Sequence, residues 1–504
     1  MATKLSNATL TSLDRSIATP RYDRKRVTAG ILHFGVGNFH RAHQAVYLDD
    51  LFNLGRDFDF GIIGAGVMAF DQTMRDRLSR QDFLTTVVEQ EAHRSKARVT
   101  GSMVGYLPPG EAEAIIDRMS DPAIRIVSLT VTEGGYFINP ATGRFDPGDP
   151  AIVVDGEQPD QPKTVFGLTV AGLKQRHAKG LAPFTVMSCD NIPHNGRVAR
   201  SAVAGLARLS DPKLADWIES HVAFPNSMVD RITPATGERE RLLVAEEFGI
   251  EDAMPVFCED FRQWVLEDHF PAGRPTLEAV GVQFVPDVTP YENMKIRILN
   301  GGHAIIAYPS GLMDIQFAHE AMENRLIHAY LEKIEREEII PIVPKVPGIN
   351  LKEYYELIAR RFSNPKIGDT IRRLCLDGSN RQPKFIIPSI ADNLKKNNSV
   401  TGLALVSALW CRYCYGITDS GQVIEPNDPN WQRLQDQARK AKSNPTAWLE
   451  MKDIYGETAD YPLFADQFSS WLTMLWDHGT QATLQHYLSD DTKSVPSLSS
   501  QKNN

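Results

Sequence analysis

Between residues 289 and 311 the chain reads TPYENMKIRILNGGHAIIAYPSG, and four of its side chains could do chemistry together. At about 100° per residue of helix, Glu292, Lys295, Asn300 and His303 fall within an arc of roughly 140°. A carboxylate, an amine, an amide and an imidazole would share one side. Thr289, Pro290 and Glu292 predict where that helix starts, as N-cap, first-turn proline and capping-box acid. The set suits oxidation of an alcohol without a metal. Something must accept the hydroxyl proton as hydride leaves the carbon, and something must stabilise the alkoxide-like oxygen. Lys295 is the candidate base, provided burial favours its uncharged form. Asn300 can donate to the oxygen and His303 can hold a neighbouring hydroxyl. A solvated polar helix face is the competing reading. Gly301 and Gly302 weigh against it, because they are expected to interrupt the helix beside Asn300 and cost stability unless something must approach closely.

A second group of residues could hold the hydride acceptor. ILHFGVG (31–37) reads as a short buried strand entering a glycine turn, and NFHRAHQAVYLDDLF continues with helical apolar spacing. Gly35 and Gly37 are the first two glycines of a G-x-G-x-x-G pattern, with His40 in place of the third. Gly35 would make the tight turn, and Gly37 would let the backbone approach a pyrophosphate on the helix N-terminus. Asn38, Phe39, His40 and Arg41 are candidate cofactor contacts in the same turn. His40 is expected to spoil close packing of the helix on the sheet. At the end of the next strand, GIIGAGVMAFD, Asp71 could bond the ribose hydroxyls and repel a 2′-phosphate, which favours NAD over NADP. A helix N-cap role for Asp71 is the rival.

These groups need two kinds of scaffold. Strand candidates at 31–37, 59–66, 82–90, 123–133 and 184–191 alternate with helical segments, which predicts a Rossmann-type, doubly wound parallel sheet over residues 1–286. From 287 to 490 amphipathic stretches at 290–308, 317–337, 351–362, 389–397, 401–414 and 462–488 predict a mostly α-helical substrate domain. Residues 491–504 read as a polar tail. The fold class is therefore α/β followed by α.

At 504 residues, with 42% apolar and 23% charged side chains, the chain is a globular protein of more than one domain. A net charge of −9 argues against a nucleic-acid partner. No signal-peptide layout and no apolar run of about 18 residues is present, so no membrane partner is expected and the cytoplasm is the expected compartment. Five cysteines suit a reducing compartment. Cys411 and Cys414 form a C-x-x-C within an apolar helical stretch and read as packing rather than metal ligands.

Several stretches together resemble one family. KIRILNGGH is similar to the K-x-x-x-x-N-x-x-H signature of the mannitol 2-dehydrogenase family, the polyol-specific long-chain dehydrogenases. GVGNFHRAH, LTVTEGGY (129–136), SCDNIPHNG (188–196), FPNSMVDRITP (224–234) and LDGSNRQPKF (376–385) resemble it too, in consistent order across most of residues 30–490. The resemblance implies NAD-dependent oxidation of D-mannitol at C2 to D-fructose, and the reverse reduction, by a monomer without a metal. It makes Lys295 the general base, with Asn191 and Asn300 as donors around the reacting oxygen. Asn191 also falls at the carboxyl end of a strand, where such folds bind ligands. His303, Asp230 and Arg373 would contact substrate hydroxyls, while Glu292 and Glu133 would link Lys295 to solvent protons. Glu133 is also a candidate cofactor contact. Glu292 as a mere helix cap, and Asp230 as the ion-pair partner of Arg231, are the plainer alternatives. Where the family often has a lysine after DGS-x this chain has Arg381, and Lys384 follows as a candidate distal substrate contact.

Three other functions compete. A hexuronate reductase of the same family would want added cationic groups, which Arg381 and Lys384 could supply. A zinc alcohol dehydrogenase would need a third ligand beside Cys189 and His194. A non-catalytic dinucleotide-binding regulator would have no use for Lys295, Asn300 and His303 together.

Overall fold

A computed structural model of the chain describes residues 2–139 and 143–489; the side chain of Glu133 and the tail expected at 491–504 lie outside the described part. The chain forms two compact units that divide after Thr289.

Unit 1 is built on five parallel strands: β1 (Ala29–Phe34), β2 (Gly61–Ala65), β3 (Met103–Tyr106), β4 (Ile126–Leu129) and β5 (Thr185–Ser188). Their order is β5-β4-β1-β2-β3, the doubly wound arrangement with β1 at its centre. Strand β1 is buried along its whole length because both faces are covered. Leu32 and Phe34 join the core under helices Val165–Ala178 and Asn195–Ser210, whereas Ile31 points to the opposite core with Leu48, Leu51 and Trp264. Alternation along the strand thus serves two cores, and the sequence reads as one apolar run.

Two sequence expectations about strands need correction. TTVVEQ, part of the candidate at 82–90, is a strand at Thr85–Gln90 but belongs to a separate three-stranded sheet, between Val256–Glu259 and Ser95–Thr100. The fifth place in the central sheet goes to MVGY, which no expectation named. That strand is four residues long, contains a glycine and runs into two prolines, so its local signal is weak.

Unit 2 is helical. Leu351–Phe362 and Thr401–Cys414 match the expected spans residue for residue. Thr401–Cys414 is buried from Gly402 to Cys414 and packs against the helix from Pro462, so Cys411 and Cys414 are core residues whose thiols burial raises well above their ordinary range. The expected single helix over 462–488 is two helices across a kink at Gly479 (φ 77°, ψ 175°), where the N–H of Thr480 donates to Asp419 at 2.7 Å. Glycine alone adopts that backbone without penalty. No helix among the described residues is long and apolar enough to cross a membrane.

The amino end of Thr401–Cys414 is held by a buried carboxylate. Glu338 accepts from the N–H groups of Gly402 (2.7 Å) and Leu403 (3.0 Å), yet burial outweighs these bonds and raises its pKa to about 7. Because the folded state favours the acid form, this contribution to stability is complete below about pH 4.5 and is lost as pH rises through about 7. Thermal unfolding followed from about pH 5 to about pH 8 should show stability falling by at most about 3 kcal/mol from this group. Glu338→Gln should flatten that slope, and an unaltered slope would count against the assignment.

Candidate active site

Unit 1 presents its glycine turn at the carboxyl end of β1. Gly35 has φ +90°, and a Cβ there would overlap the carbonyl oxygen of Thr130. Gly37 is exposed and ends the turn as N-cap of a short helix, Asn38–Ala42, with open space where its side chain would be. The two glycines do what the sequence pattern required: one turns the chain and the other bares the backbone.

The remaining turn residues mostly brace the loop. His40 is only 1% exposed and stacks on His33 of β1 at 3.4 Å, so its ring packs within the core. The expected clash is avoided because the two imidazoles lie face to face, and burial holds His33 down at about 3 and His40 well below its usual value, both uncharged. Arg41 is buried as well. Its guanidinium donates to the carbonyls of Gly37 and Met254 and to Asn38 Oδ1, which fixes the turn from behind. Asn38 in turn donates to the carbonyl of Pro234, and Phe39 stacks on His43 at 4.9 Å. Of the expected cofactor side chains here, Arg41 and His40 therefore face the protein.

Asp71 has protein partners too. It is 5% exposed at the third position of helix Ala69–Ser79, where one oxygen accepts from the N–H of Met68 at 2.9 Å and the other from Tyr106 Oη at 3.3 Å. The carboxylate caps the helix, and burial raises its pKa. What stands exposed at this end of β2 is apolar, Met68 at 55% and Phe70 at 65%. Exposed apolar side chains at a strand end were the sequence signal overlooked here.

The loop after β5 carries Asn191, which is exposed. Its neighbour Asp190, absent from the expected site residues, accepts from the N–H groups of Val131 (3.0 Å) and Thr132 (2.8 Å) and from Tyr136 Oη (2.7 Å). One buried carboxylate thereby locks the loops after β4 and β5 together. Asn195 secures the other side of the loop: its amide donates to the carbonyls of Asp190 (2.9 Å) and Ser227 (2.8 Å) and accepts from the N–H of Ser227 (2.9 Å). Ser227 begins the strand that ends at Asp230, so the same amide relates Asn191 to Asp230. Asp230 is buried, and Arg231 does not depend on it: the guanidinium pairs with Glu89 at 2.7 Å and donates to the carbonyls of Ala42 and Glu259. The signal for Asp190 and Asn195 lay in SCDNIPHNG, polar residues that flank an asparagine just past a buried strand.

The helix that opens unit 2 starts one residue ahead of it, at Thr289, whose N–H and hydroxyl both donate to Asp287. Glu292 (6% exposed) and Lys295 (7%) are buried on it. From Lys295 to Asn300 the backbone widens into a π turn, and it returns to α geometry from Gly301 to Leu312. Bonds that close i→i+5 bring residues five apart nearly into line, whereas an α-helix would leave Lys295 and Asn300 about 140° apart. The π turn therefore gathers the amine and the amide more tightly than the sequence count implied.

The two glycines do not interrupt the helix, contrary to expectation. They continue it and are buried. A Cβ on Gly302 would lie 3.2 Å from the Phe362 ring and 3.3 Å from Glu335 Oε1, so small size, not flexibility, is what the position needs. His303 stacks on Phe362 at 4.2 Å, and its Nε2 is buried without a hydrogen-bond partner among the described residues. Burial lowers its pKa to about 3, so it is a neutral imidazole. Asp369, Arg373, Arg361 and Arg381 lie close enough to influence it electrostatically. Arg373 is clasped by Asp369 through two hydrogen bonds, Arg381 donates to the carbonyls of Arg373 and Leu374, and Lys384 is exposed. Arg372, by contrast, donates to the carbonyls of Glu425 and Pro426 and ties down a loop.

The two units correspond to two parts of one family. Residues 29–279 match the mannitol dehydrogenase Rossmann domain and residues 287–476 the mannitol dehydrogenase C-terminal domain. The chain belongs to the mannitol dehydrogenase family. It is 59% identical to a mannitol 2-dehydrogenase of Cereibacter sphaeroides over 94% of this chain and 100% of that one. Among solved structures it resembles Pseudomonas fluorescens mannitol 2-dehydrogenase in ternary complex with NAD and D-mannitol, with 43% identity, a TM-score of 0.87, and 97% and 100% of the two chains covered. A D-sorbitol dehydrogenase in substrate-free form is similar at 34% identity and a TM-score of 0.88, over 95% and 100% of the chains.

Proposed function

We propose that the chain is an NAD-dependent polyol dehydrogenase that oxidises D-mannitol at C2 to D-fructose and catalyses the reverse reduction. The observation that carries this reading is the π-widened helix, which sets the buried Lys295 and the half-buried Asn300 on one face with His303 beside them, in a chain 59% identical to a mannitol 2-dehydrogenase. Lys295, 7% exposed, accepts the hydroxyl proton as hydride leaves the carbinol carbon. Asn191 and Asn300 donate to the oxygen as negative charge develops on it. His303, a neutral imidazole, and Asp230 and Arg373 hold further hydroxyls, and Lys384 marks the distal end. Glu292 passes the proton from Lys295 toward solvent.

The unit 1 residues fit NAD. The bare Gly37 backbone accepts a pyrophosphate, and the apolar Met68 and Phe70 flank the end of β2, where an adenosine belongs in this fold. The bound nicotinamide supplies the hydride-accepting carbon; the protein supplies position and proton transfer. The enzyme acts as a monomer in the cytoplasm, on small polyols and ketoses only.

Two measurements test the reading. Initial rates with fructose should far exceed those with fructuronate or tagaturonate; a clear preference for a uronate would replace the mannitol reading with a hexuronate reductase, whose carboxylate the arginines around His303 would bind. Prolonged treatment with a strong chelator should leave turnover within about twofold, because a lysine base, and not a Lewis-acid metal, deals with the hydroxyl proton. Loss of activity that zinc restores would exclude the lysine mechanism.

A further inference from the structure

Behind the reactive face of the helix lies a group that the proposed mechanism does not use. Glu335 has no exposed surface, and among the described residues neither of its carboxyl oxygens has a hydrogen-bond partner. It opens a second π turn, Glu335–Ile339, which packs against the π turn Lys295–Asn300. Its Oε1 and the ring of Phe362 together fill the space behind Gly302, and Phe362 is the surface on which His303 stacks. Buried carboxyl groups without partners are costly and rare, so this one calls for a physical account.

We propose that Glu335 is a positioning residue: seated behind Gly302 and beside Phe362, its carboxyl group props the Lys295–Asn300 turn and the His303 ring in the arrangement that receives the polyol. The inference deepens the dehydrogenase reading and rests on it. Glu335 can serve this way only as the neutral acid, because an ionised carboxylate there would be driven to find water or a cation and would push the turn aside. Burial alone, with no compensating charge, raises its pKa well above the ordinary carboxylate range.

The charged and titratable groups around it are committed elsewhere or are neutral. On helix Leu351–Phe362, Tyr355 is the group that feels Glu335, and its own pKa is raised by burial first and by Glu335 second. Arg336, next in sequence, pairs with Glu332 and Glu356. Glu338 bonds the N–H groups of Gly402 and Leu403, and Tyr330, on the preceding helix, is held neutral by burial. The facing π turn carries Lys295 and Arg297, the latter paired with Asp392 of helix Ile387–Lys395 at 2.5 Å.

The test compares wild type, Glu335→Gln and Gly302→Ala from about pH 6 to about pH 10. Glu335→Gln keeps the shape and cannot ionise. The polyol KM of wild type, divided by that of Glu335→Gln, should stay near one at neutral pH and rise about tenfold toward alkaline pH, with the NAD KM unchanged in both. Amide hydrogen exchange over residues 295–303 should speed up in wild type relative to Glu335→Gln over the same interval, a readout that needs no turnover. Gly302→Ala, which presses on Glu335 and Phe362 from the other side, should raise the polyol KM and leave the NAD KM alone. Superimposable pH profiles and exchange rates for wild type and Glu335→Gln overturn the proposal, as does a Gly302→Ala polyol KM equal to wild type. A wild-type chain that oxidises no polyol at all overturns the dehydrogenase reading instead, and the exchange comparison still decides the role of Glu335.

Discussion

Lys295→Ala is expected to lower turnover about 10²- to 10⁴-fold, the range over which a positioned general base contributes. The affinity for NADH should remain within a few-fold of wild type, because unit 1 holds the glycine turn, the Asn191 loop and the apolar end of β2, and Lys295 belongs to unit 2. Fluorescence titration with NADH and steady-state rates with mannitol separate the two quantities. If Lys295→Ala turned over mannitol near the wild-type rate, the proton acceptor would have to be another group, and Glu292, a buried carboxylate early on the same helix, would be next to test. The pH profile offers a second check. Activity in the oxidative direction should increase as a group on the free enzyme deprotonates, and that limb should vanish in Lys295→Ala.

Gly35→Ala should have a comparably large effect by a different route. The residue sits at φ +90°, a region that costs a side-chain-bearing residue about 1–3 kcal/mol, and its new methyl would overlap the carbonyl oxygen of Thr130. The loop must move, and it is tied to its surroundings through Arg41, His33 and Thr130, so the displacement reaches the backbone that meets the pyrophosphate. Binding of NADH should weaken about 100-fold or more, as two such penalties together amount to about 3 kcal/mol. The melting temperature should fall at the same time. Gly37→Ala makes the contrast: its Cβ would meet nothing closer than 3.8 Å within the protein, so stability should hold while cofactor affinity drops. A Gly35→Ala protein with normal NADH affinity would show that the turn is not the pyrophosphate site.

Much of the helical unit was legible because helical periodicity is a local signal. Leu351–Phe362 and Thr401–Cys414 announce themselves through apolar spacing and need no knowledge of their neighbours. The central sheet was legible except at its edge, where MVGY has too few β-favouring residues to stand out and a stronger segment, TTVV, pairs elsewhere. The glycine turn stands where the pattern put it, while the side chains after it make contacts with the protein that spacing did not show. His40, Arg41 and Asp71 are of types that bind ligands, and each is spent on the protein: a stack under β1, a clamp on two carbonyls, a helix cap. Type and spacing cannot tell a ligand contact from a brace, because both use the same hydrogen bonds. Asp190 and Asn195 show the converse, since their work becomes visible only when β4, β5 and the strand Ser227–Asp230 are seen side by side. Nor could residue types reveal the π turn, because widening a helix alters its bonding and leaves no mark on apolar spacing over six residues.

That wider turn has a consequence for how the chain tolerates change in length. A helix that passes through six residues closing i→i+5 accommodates one residue more than an α path joining the same ends. Excising a single residue between Lys295 and Asn300 would heal the bulge into ordinary helix, with every backbone bond satisfied and the fold of unit 2 little strained. The residues on either side of the cut would keep their places, because the α path joins the same ends, and the amine and the amide, four apart instead of five, would still share one side about 40° apart. The surplus residue is thus an insertion that the helix absorbs locally, and its loss would take away the widened backbone between amine and amide while leaving the helix around them in phase.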